Sequence, residues 1–352
     1  MTRTTEMKKI IEERYQFCIW LYRIKKETDM RNKEKRERGE KNLVYVDIFA
    51  MPSHIKILFG SFLKTPQYTE IATLRGHTAW LACLTLHENK LYSGGWDKTI
   101  RVWNTETYEE IATLEGHSDA VMSLVLHENK LFSGSRDSTV RVWNTDTYED
   151  IVTLECHVWA VCCLTLYDNK LYSGSKDNTI CILNTETETY EGISRLIGHT
   201  SHVYCLTIHD NKLYSGSDDK TIRVWNTETC ETIATLRGHT ESVYCLTIHK
   251  NKLYSGGFDN TVRIWNTETY EEIATLRGHT NNVLCLTHHE NKLFSGGADN
   301  TIRIWSTETY ETIATLRGHI GCVTCLTFHE NKLYSGSFDR NIRVWNINTL
   351  GI

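Results

Sequence analysis

Three residue types that together build nucleophilic catalysts recur along this chain at fixed spacing. A histidine stands at His77, His117, His157, His199, His239, His279 and His319. Sixteen residues after each comes a serine: Ser93, Ser133, Ser173, Ser215, Ser255, Ser295 and Ser335. Four further on is an aspartate: Asp97, Asp137, Asp177, Asp219, Asp259, Asp299 and Asp339. A serine hydroxyl activated by a carboxylate-oriented imidazole performs acyl transfer. A nucleophile is needed once, however, and must be exposed to its substrate. A set present seven times therefore points to architecture. Six more histidines, His87, His127, His209, His249, His289 and His329, each precede an Asn-Lys turn and suggest a metal. Equivalent atoms on different repeats are too far apart for one ion's ligand shell, and these residues are expected to be exposed scaffold, like the recurring Arg101, Arg223 and Arg303. Cys322-Val-Thr-Cys325 has C-x-x-C spacing, but it lacks the second pair that zinc wants. No catalytic, metal or cofactor assignment follows.

The elements that carry these residues repeat with them. The histidines are 40 residues apart, except for one step of 42 between His157 and His199. A period of this length fixes the architecture before any local assignment. Six residues after each Asp stands Trp103, Trp143, Trp225, Trp265, Trp305 or Trp345, and the third copy has Leu183 there. In the copy from Thr269 to Trp305, the runs EEIATL, VLCLTH, LFSGG and TIRIW are separated by turn residues. These four runs are expected to form one twisted antiparallel sheet per repeat. The glycine of RGHT is assigned to backbone freedom in a turn. VLCLTH is apolar at nearly every position, which predicts burial of both its faces. An extra first-type run, Glu70 to Leu74, precedes the first copy, and the last copy ends at Ile342–Trp345 with no successor. An open strand edge is an aggregation hazard, so these two segments are expected to pair and close the final sheet.

GH at the front of each copy, Asp in a turn and Trp ending a strand are the marks by which residues 68 to 346 resemble the WD-repeat β-propeller family. The family's usual Trp-Asp is here Trp-Asn (Trp103-Asn104, Trp265-Asn266) or Trp-Ser (Trp305-Ser306). That residue follows the strand, and no change of fold is expected. The resemblance implies an all-β, seven-bladed propeller of four-stranded antiparallel blades, closed by residues 70–74 on 342–345. It implies that His bridges the Asp carboxylate and the Ser hydroxyl while the Trp N–H bonds to the Ser. In tetrads such as His77, Ser93, Asp97, Trp103 and His279, Ser295, Asp299, Trp305, every buried polar atom then has a partner. In the third copy Cys156, Cys181 and Leu183 replace Gly, Arg and Trp. This predicts an incomplete network there, with His157, Ser173 and Asp177 still joined.

The resemblance also implies a face on which each repeat presents three residues: the third and fifth after His and the one before Asp. In chain order they are Trp80, Ala82, Trp96; Ala120, Met122, Arg136; Ala160, Cys162, Lys176; His202, Tyr204, Asp218; Ser242, Tyr244, Phe258; Asn282, Leu284, Ala298; Cys322, Thr324, Phe338. Ring closure would set Phe338 beside Trp80 and Trp96, while His202, Tyr204, Tyr244 and Phe258 form a second arc. Grouped aromatics at a solvent-facing rim are typical anchors for protein partners. The expected function is a non-catalytic scaffold that binds proteins or peptides on this face, as a monomeric propeller within a larger complex.

Composition bounds the remainder. Residues 1–66 carry 15 Lys and Arg against 9 Asp and Glu, a net of +6, while the following residues carry 24 against 35, a net of −11. An acidic main body argues against nucleic-acid binding, which depends on neutralising phosphates. Of 12 cysteines, Cys83, Cys163, Cys205, Cys245, Cys285 and Cys325 occupy one repeat position, as small apolar residues of a buried strand. Free thiols, the lack of a secretory signal and the lack of an apolar run near about 18 residues point to a soluble cytoplasmic protein, or a nuclear one, with no membrane association. Residues 1–66 form an N-terminal helical, charged segment, and residues 67–352 form the propeller. The apolar rhythm Met7, Ile10, Ile11, Tyr15, Cys18, Ile19, Tyr22 predicts a helix from Thr5 to about Arg38. LVYVDIF (43–49) is a candidate strand. Residues 51–63 are similar to the opening of an F-box, through Pro52, Ile55, Phe59, Phe62 and Leu63. That fragment supports an alternative function, the substrate-recognition subunit of an F-box-type ubiquitin ligase.

Overall fold

The computed structural model describes residues 68–187 and 189–347. The helix expected near the N-terminus, the strand at 43–49 and the F-box-like stretch at 51–63 lie outside the described residues. Twenty-eight strands of five to eight residues form seven four-stranded antiparallel sheets. In blade one the inner strand is Leu81–His87, followed outward by Lys90–Gly95, Ile100–Asn104 and Glu110–Leu114. The inner strands neighbour one another in sequence order around the ring, and Val323–His329 returns to Leu81–His87. The ring closes as expected: Tyr68–Arg75 pairs with Asn341–Ile347, with Glu70 opposite Trp345 and Leu74 opposite Ile342. Arg343 and Glu70 are ion-paired across that seam, as Arg101 and Glu110 are at 2.6 Å within blade one.

Blade and sequence repeat are out of phase by one strand, which corrects the one-repeat, one-sheet expectation. Glu272–Arg277 lies in the sheet of Val243–His249, not in that of Val283–His289. The turn after the tryptophan decides this. Asn104 Oδ1 accepts the N–H groups of Glu106 at 2.8 Å and Thr107 at 2.9 Å, and Tyr108 N–H returns to the Asn104 carbonyl at 2.9 Å. This side-chain-capped turn folds the next EIATL run back as a hairpin on the strand it has just left. Ser306 Oγ accepts the equivalent two N–H groups, so a short acceptor side chain after Trp is sufficient, and the departure from Trp-Asp leaves the fold intact.

The core lies between blades. Tyr92, Ile100, Val102 and Leu114 of blade one pack on Val121, Leu124, Leu131 and Trp143 of blade two, and the same arrangement joins blade seven to blade one through Ile342, Val344, Leu81 and Trp103. The most buried strand is the second of each blade, KLYSGG or its equivalent, not the inner one, which in Leu81–His87 and Val283–His289 has two buried residues and five half-buried ones. The inner strand borders an axial cavity, so it has no neighbouring strand on one edge. Packing also explains the glycines of the second strand. A Cβ on Gly94 would stand 2.6 Å from Cys83 Sγ and 2.7 Å from Val121 Cγ1 of the next blade. The glycine before six of the seven repeat histidines is likewise a packing residue. None of these glycines has a left-handed φ, but a Cβ on Gly76 would meet Trp103 Cη2 at 2.8 Å and Arg101 Nη1 at 2.9 Å.

Candidate functional site

The repeated polar set forms as the resemblance implied. In blade one His77 Nδ1 is 2.8 Å from Asp97 Oδ2, His77 Nε2 is 2.8 Å from Ser93 Oγ, and Trp103 Nε1 donates to the same oxygen at 2.8 Å. An indole N–H only donates and a carboxylate only accepts. The assignment that pairs every atom therefore has His Nδ1–H donating to Asp and Ser Oγ–H donating to His Nε2. Burial alone would raise the Asp97 carboxyl. The hydrogen bond and charge of His77, with the Thr78 N–H and the Thr99 hydroxyl, outweigh it and hold the group well below the carboxylate range. The same tetrad geometry recurs at His279, Ser295, Asp299 and Trp305. Ser93 and its six equivalents are fully buried, so these hydroxyls meet no substrate. In blade three His157, Asp177 and Ser173 remain joined at 2.8 and 2.9 Å, and the buried Leu183 leaves the serine without its indole donor.

The rim is built on these networks. In every blade the residue before Asp sends its N–H to the carbonyl of the third residue after His: Trp96 to Trp80 at 2.8 Å, Arg136 to Ala120 at 2.9 Å, and Phe338 to Cys322 at 2.9 Å. Two of the three face positions in each repeat are thus tied by backbone alone. Their side chains are free to vary.

The rim surrounds an axial cavity of about 800 Å³. Trp96, Met122, Arg136, Lys176, Tyr204, Tyr244, Phe258, Leu284 and Phe338 line it, as do Ala82, Cys162, Asn282, Ala298, Cys322 and Thr324. Trp80 stands outside the cavity mouth, 42% exposed, stacked on Phe338 at 4.3 Å and edge-on to Trp96 at 5.2 Å. Arg136 lies over the Trp96 ring at 4.6 Å. These four residues make one arc across blades seven, one and two. A second arc runs from His202 to Tyr204, Tyr244 and Phe258, with successive ring separations of 5.9, 5.1 and 5.1 Å. Burial, then the Asp218 charge, raises the Tyr204 phenol to about 12, so that hydroxyl stays protonated. Asp218 itself is engaged by the Ser201 and Ser242 hydroxyls and ties blade four to blade five. Ala120, Ala160 and Ser242 are buried.

Three exposed apolar residues on this face escaped the sequence assignment: Val158, Trp159 and Ile320, at 78%, 59% and 84% exposure. Trp159 extends the second arc, 6.5 Å from His202. Comparison of the repeats held the signal, since Val158 and Ile320 stand where the other copies have Thr or Ser. The histidines before the Asn-Lys turns, such as His87 and His209, are half-buried and not exposed. Arg101, Arg223 and Arg303 are also half-buried; Arg223 and Arg303 lie over Trp225 and Trp305 at 5.8 and 5.9 Å. Cys325 is buried, while Cys322 lies at the cavity and donates to the Ala298 carbonyl at 3.8 Å.

A closed ring of seven sheets, each locked by a His–Ser–Asp network and presenting a variable rim, defines a WD-repeat propeller. The family model for the WD domain, G-beta repeat (WD40), matches residues 68–104, 108–144, 148–184, 191–226, 230–266, 270–306 and 310–346, and the chain belongs to this family. A search of curated proteins finds no match. WD40 propellers are generally protein-interaction scaffolds without catalytic activity.

Proposed function

We propose that this propeller is a non-catalytic docking platform that takes an extended peptide segment of a partner protein across its rim and into the mouth of the axial cavity. The observation that carries this reading is the pair of aromatic arcs at one cavity, with Trp80 and Trp159 standing in solvent. Exposed aromatic anchors flanked by near-neutral contacts are what binding hot spots consist of. Arg136 and Lys176 supply positive charge on the side of blades two and three, which suits a segment whose apolar anchors are flanked by an acidic residue. The scaffold would work in the cytoplasm or nucleus as one propeller within a larger complex, binding neither nucleic acid nor membrane. A displayed peptide library selected on the wild-type protein tests the reading. Enriched peptides should lose binding to Trp96→Ala/Phe338→Ala while that variant keeps its melting temperature. Unchanged binding by the variant would reject the rim as the site. The alternative, a ubiquitin-ligase substrate receptor, rests on residues 51–63, and co-purification with an adaptor subunit distinguishes it.

A further inference from the structure

Blade three differs from the other six at three positions that share one volume. Elsewhere the glycine before the histidine lies beneath Trp and Arg: a Cβ on Gly278 would meet Trp305 Cη2 and Arg303 Nη1, both at 2.9 Å. In blade three the three residues change together, to Cys156, Cys181 and Leu183. Leucine vacates the indole's space, and the Cys156 side chain, which an indole would exclude, fits there. Its Sγ lies 3.6 Å from Ser173 Oγ, the serine that elsewhere receives the Trp N–H. Cys181, on the strand Thr179–Asn184, is the cross-strand partner of Ser173, so its side chain shares the sheet face of the serine that the Cys156 thiol touches. Cys156 is half-buried and Cys181 is buried. A positive charge has returned from a new direction. Arg195, on the outer strand, donates through Nη2 to the Cys156 carbonyl at 2.5 Å and through Nη1 to Thr179 Oγ1 at 3.1 Å, and it stands 3.6 Å from Asp177.

The six repeat-position cysteines are unlike this pair. Cys83 and Cys285 are buried and point their thiols at carbonyls of the next blade, Val121 at 3.7 Å and Val323 at 3.6 Å. Burial pushes both thiols well up. Cys156 is moved the other way. The neighbouring Cys181 thiol is the main cause; burial opposes it, and His157, Ser173 and Arg195 add to it. The nearness of Cys156, with burial, raises Cys181. A half-buried, thiolate-prone sulfur thus lies beside a buried partner, the division between attacking and resolving thiols.

We propose that Cys156 and Cys181 are a redox-active dithiol whose disulfide takes over, in this one blade, the clamp that the Trp–Ser bond supplies in the others. The oxidant is a low-molecular-weight disulfide. The Cys156 thiolate attacks one of its sulfurs, forming a mixed disulfide and releasing the other half as a thiolate. Cys181 gives up its proton and attacks the Cys156 sulfur, which closes the protein disulfide and expels the second thiolate. The two protein protons end on two small thiols. The protein loses two electrons, and the small disulfide gains them.

The test uses the full-length protein in a series of glutathione redox buffers, followed by alkylation, trypsin digestion and mass spectrometry. Oxidation should link the peptide 142–170 to the peptide 177–195, and Cys156→Ser should abolish the link. Cys181→Ser should leave glutathione trapped on Cys156. The triple variant Cys156→Gly/Cys181→Arg/Leu183→Trp reproduces the set of the other blades. It should fold, give no link, and show blade-three amide exchange that no longer depends on the redox buffer, whereas oxidation of the wild type should slow that exchange several-fold. The proposal is overturned if no link forms across the series, if Cys162 takes up glutathione as readily as Cys156, or if oxidation leaves blade-three exchange unchanged.

Discussion

Removing the serine of one tetrad should cost more in blade five than in blade three, by an amount that follows from counting partners. Ser255 is fully buried, accepts Trp265 Nε1–H at 2.8 Å and faces His239 Nε2 at 2.7 Å. Ser255→Ala leaves a buried donor and a buried acceptor without partners. At about 1–3 kcal/mol for each orphaned group the loss is about 2–6 kcal/mol. In blade three the only strong partner of Ser173 Oγ is His157 Nε2 at 2.9 Å, because Leu183 donates nothing. Ser173→Ala should therefore cost about 1–3 kcal/mol. Thermal melts of the two variants against wild type measure the gap. For a domain of this size 1 kcal/mol corresponds to about 2–4 °C, so Ser255→Ala should melt roughly 2–12 °C below Ser173→Ala. Amide exchange localises the effect: Ser255→Ala should speed exchange in Val243–His249 and Lys252–Gly257 and leave the opposite blades unchanged. Equal melting temperatures for the two variants would refute the claim that the tetrad stabilises by pairing each buried polar atom.

Other perturbations follow from the same geometry. Burial would raise the Asp339 carboxyl, but the hydrogen bond and charge of His319 and the Asn341 and Ile320 N–H groups hold it at about 2. A depressed carboxyl contributes stability that is whole above its unfolded pKa and is lost as pH falls through the folded one, so the deficit of Asp339→Asn should be full at neutral pH and should close between about pH 4 and pH 2. Gly256→Ala places a Cβ 2.6 Å from both Cys245 Sγ and Val283 Cγ1; it should lower stability by about 1–3 kcal/mol in denaturant titration, and a neutral result would show that blades five and six can move apart. His288 occupies the inner-strand position held by Leu86, Leu126 and Ile208 in other blades, and burial, then His249 and His289, lower its pKa. A base with a lowered folded pKa is held neutral by the fold, so its contribution weakens as pH falls below about 6.5. The melting-temperature advantage of His288→Leu over wild type should therefore grow as pH falls through that value; an advantage that stays constant across it would count against protonation as the cause.

The features legible in the sequence were those set by identity at fixed spacing. The period gave the seven blades, and the lone first run at Glu70–Leu74 gave the closure on Ile342–Trp345. What escaped depended on geometry between repeats. The pairing of each EIATL run with the preceding blade is decided by Asn104 Oδ1 and its equivalents, a side-chain role that a periodicity count does not show. The glycine before six of the seven histidines signalled a turn, while its physical reason is the Trp and Arg packed against it. The contacts of Lys90 over Tyr148 at 5.2 Å and Lys332 over Tyr108 at 5.3 Å join neighbouring blades, and their partners are invisible until the ring is formed. Trp159 lay two residues after a repeat histidine, beside the three positions taken from the family pattern, and only its exposure brings it onto the rim.

Seven copies of one unit also separate two kinds of variation. At the rim the backbone bond from the residue before Asp to the third residue after His survives whether the pair is Trp96 and Trp80 or Ala298 and Asn282. Side chains there change without disturbing what holds the blade, so their chemistry is free to answer to a partner. In blade three the change reaches the packing triple itself, and there it cannot be piecemeal. A side chain in place of the glycine requires the indole to leave, the departing arginine takes its charge with it, and Arg195 restores a cation from the adjacent strand. Substitutions at the rim thus leave the backbone ties of each blade in place, while those at Cys156, Cys181 and Leu183 are physically conditional. A conditional set that places two thiols beside the same serine is better explained by what the thiols do together than by three separate losses.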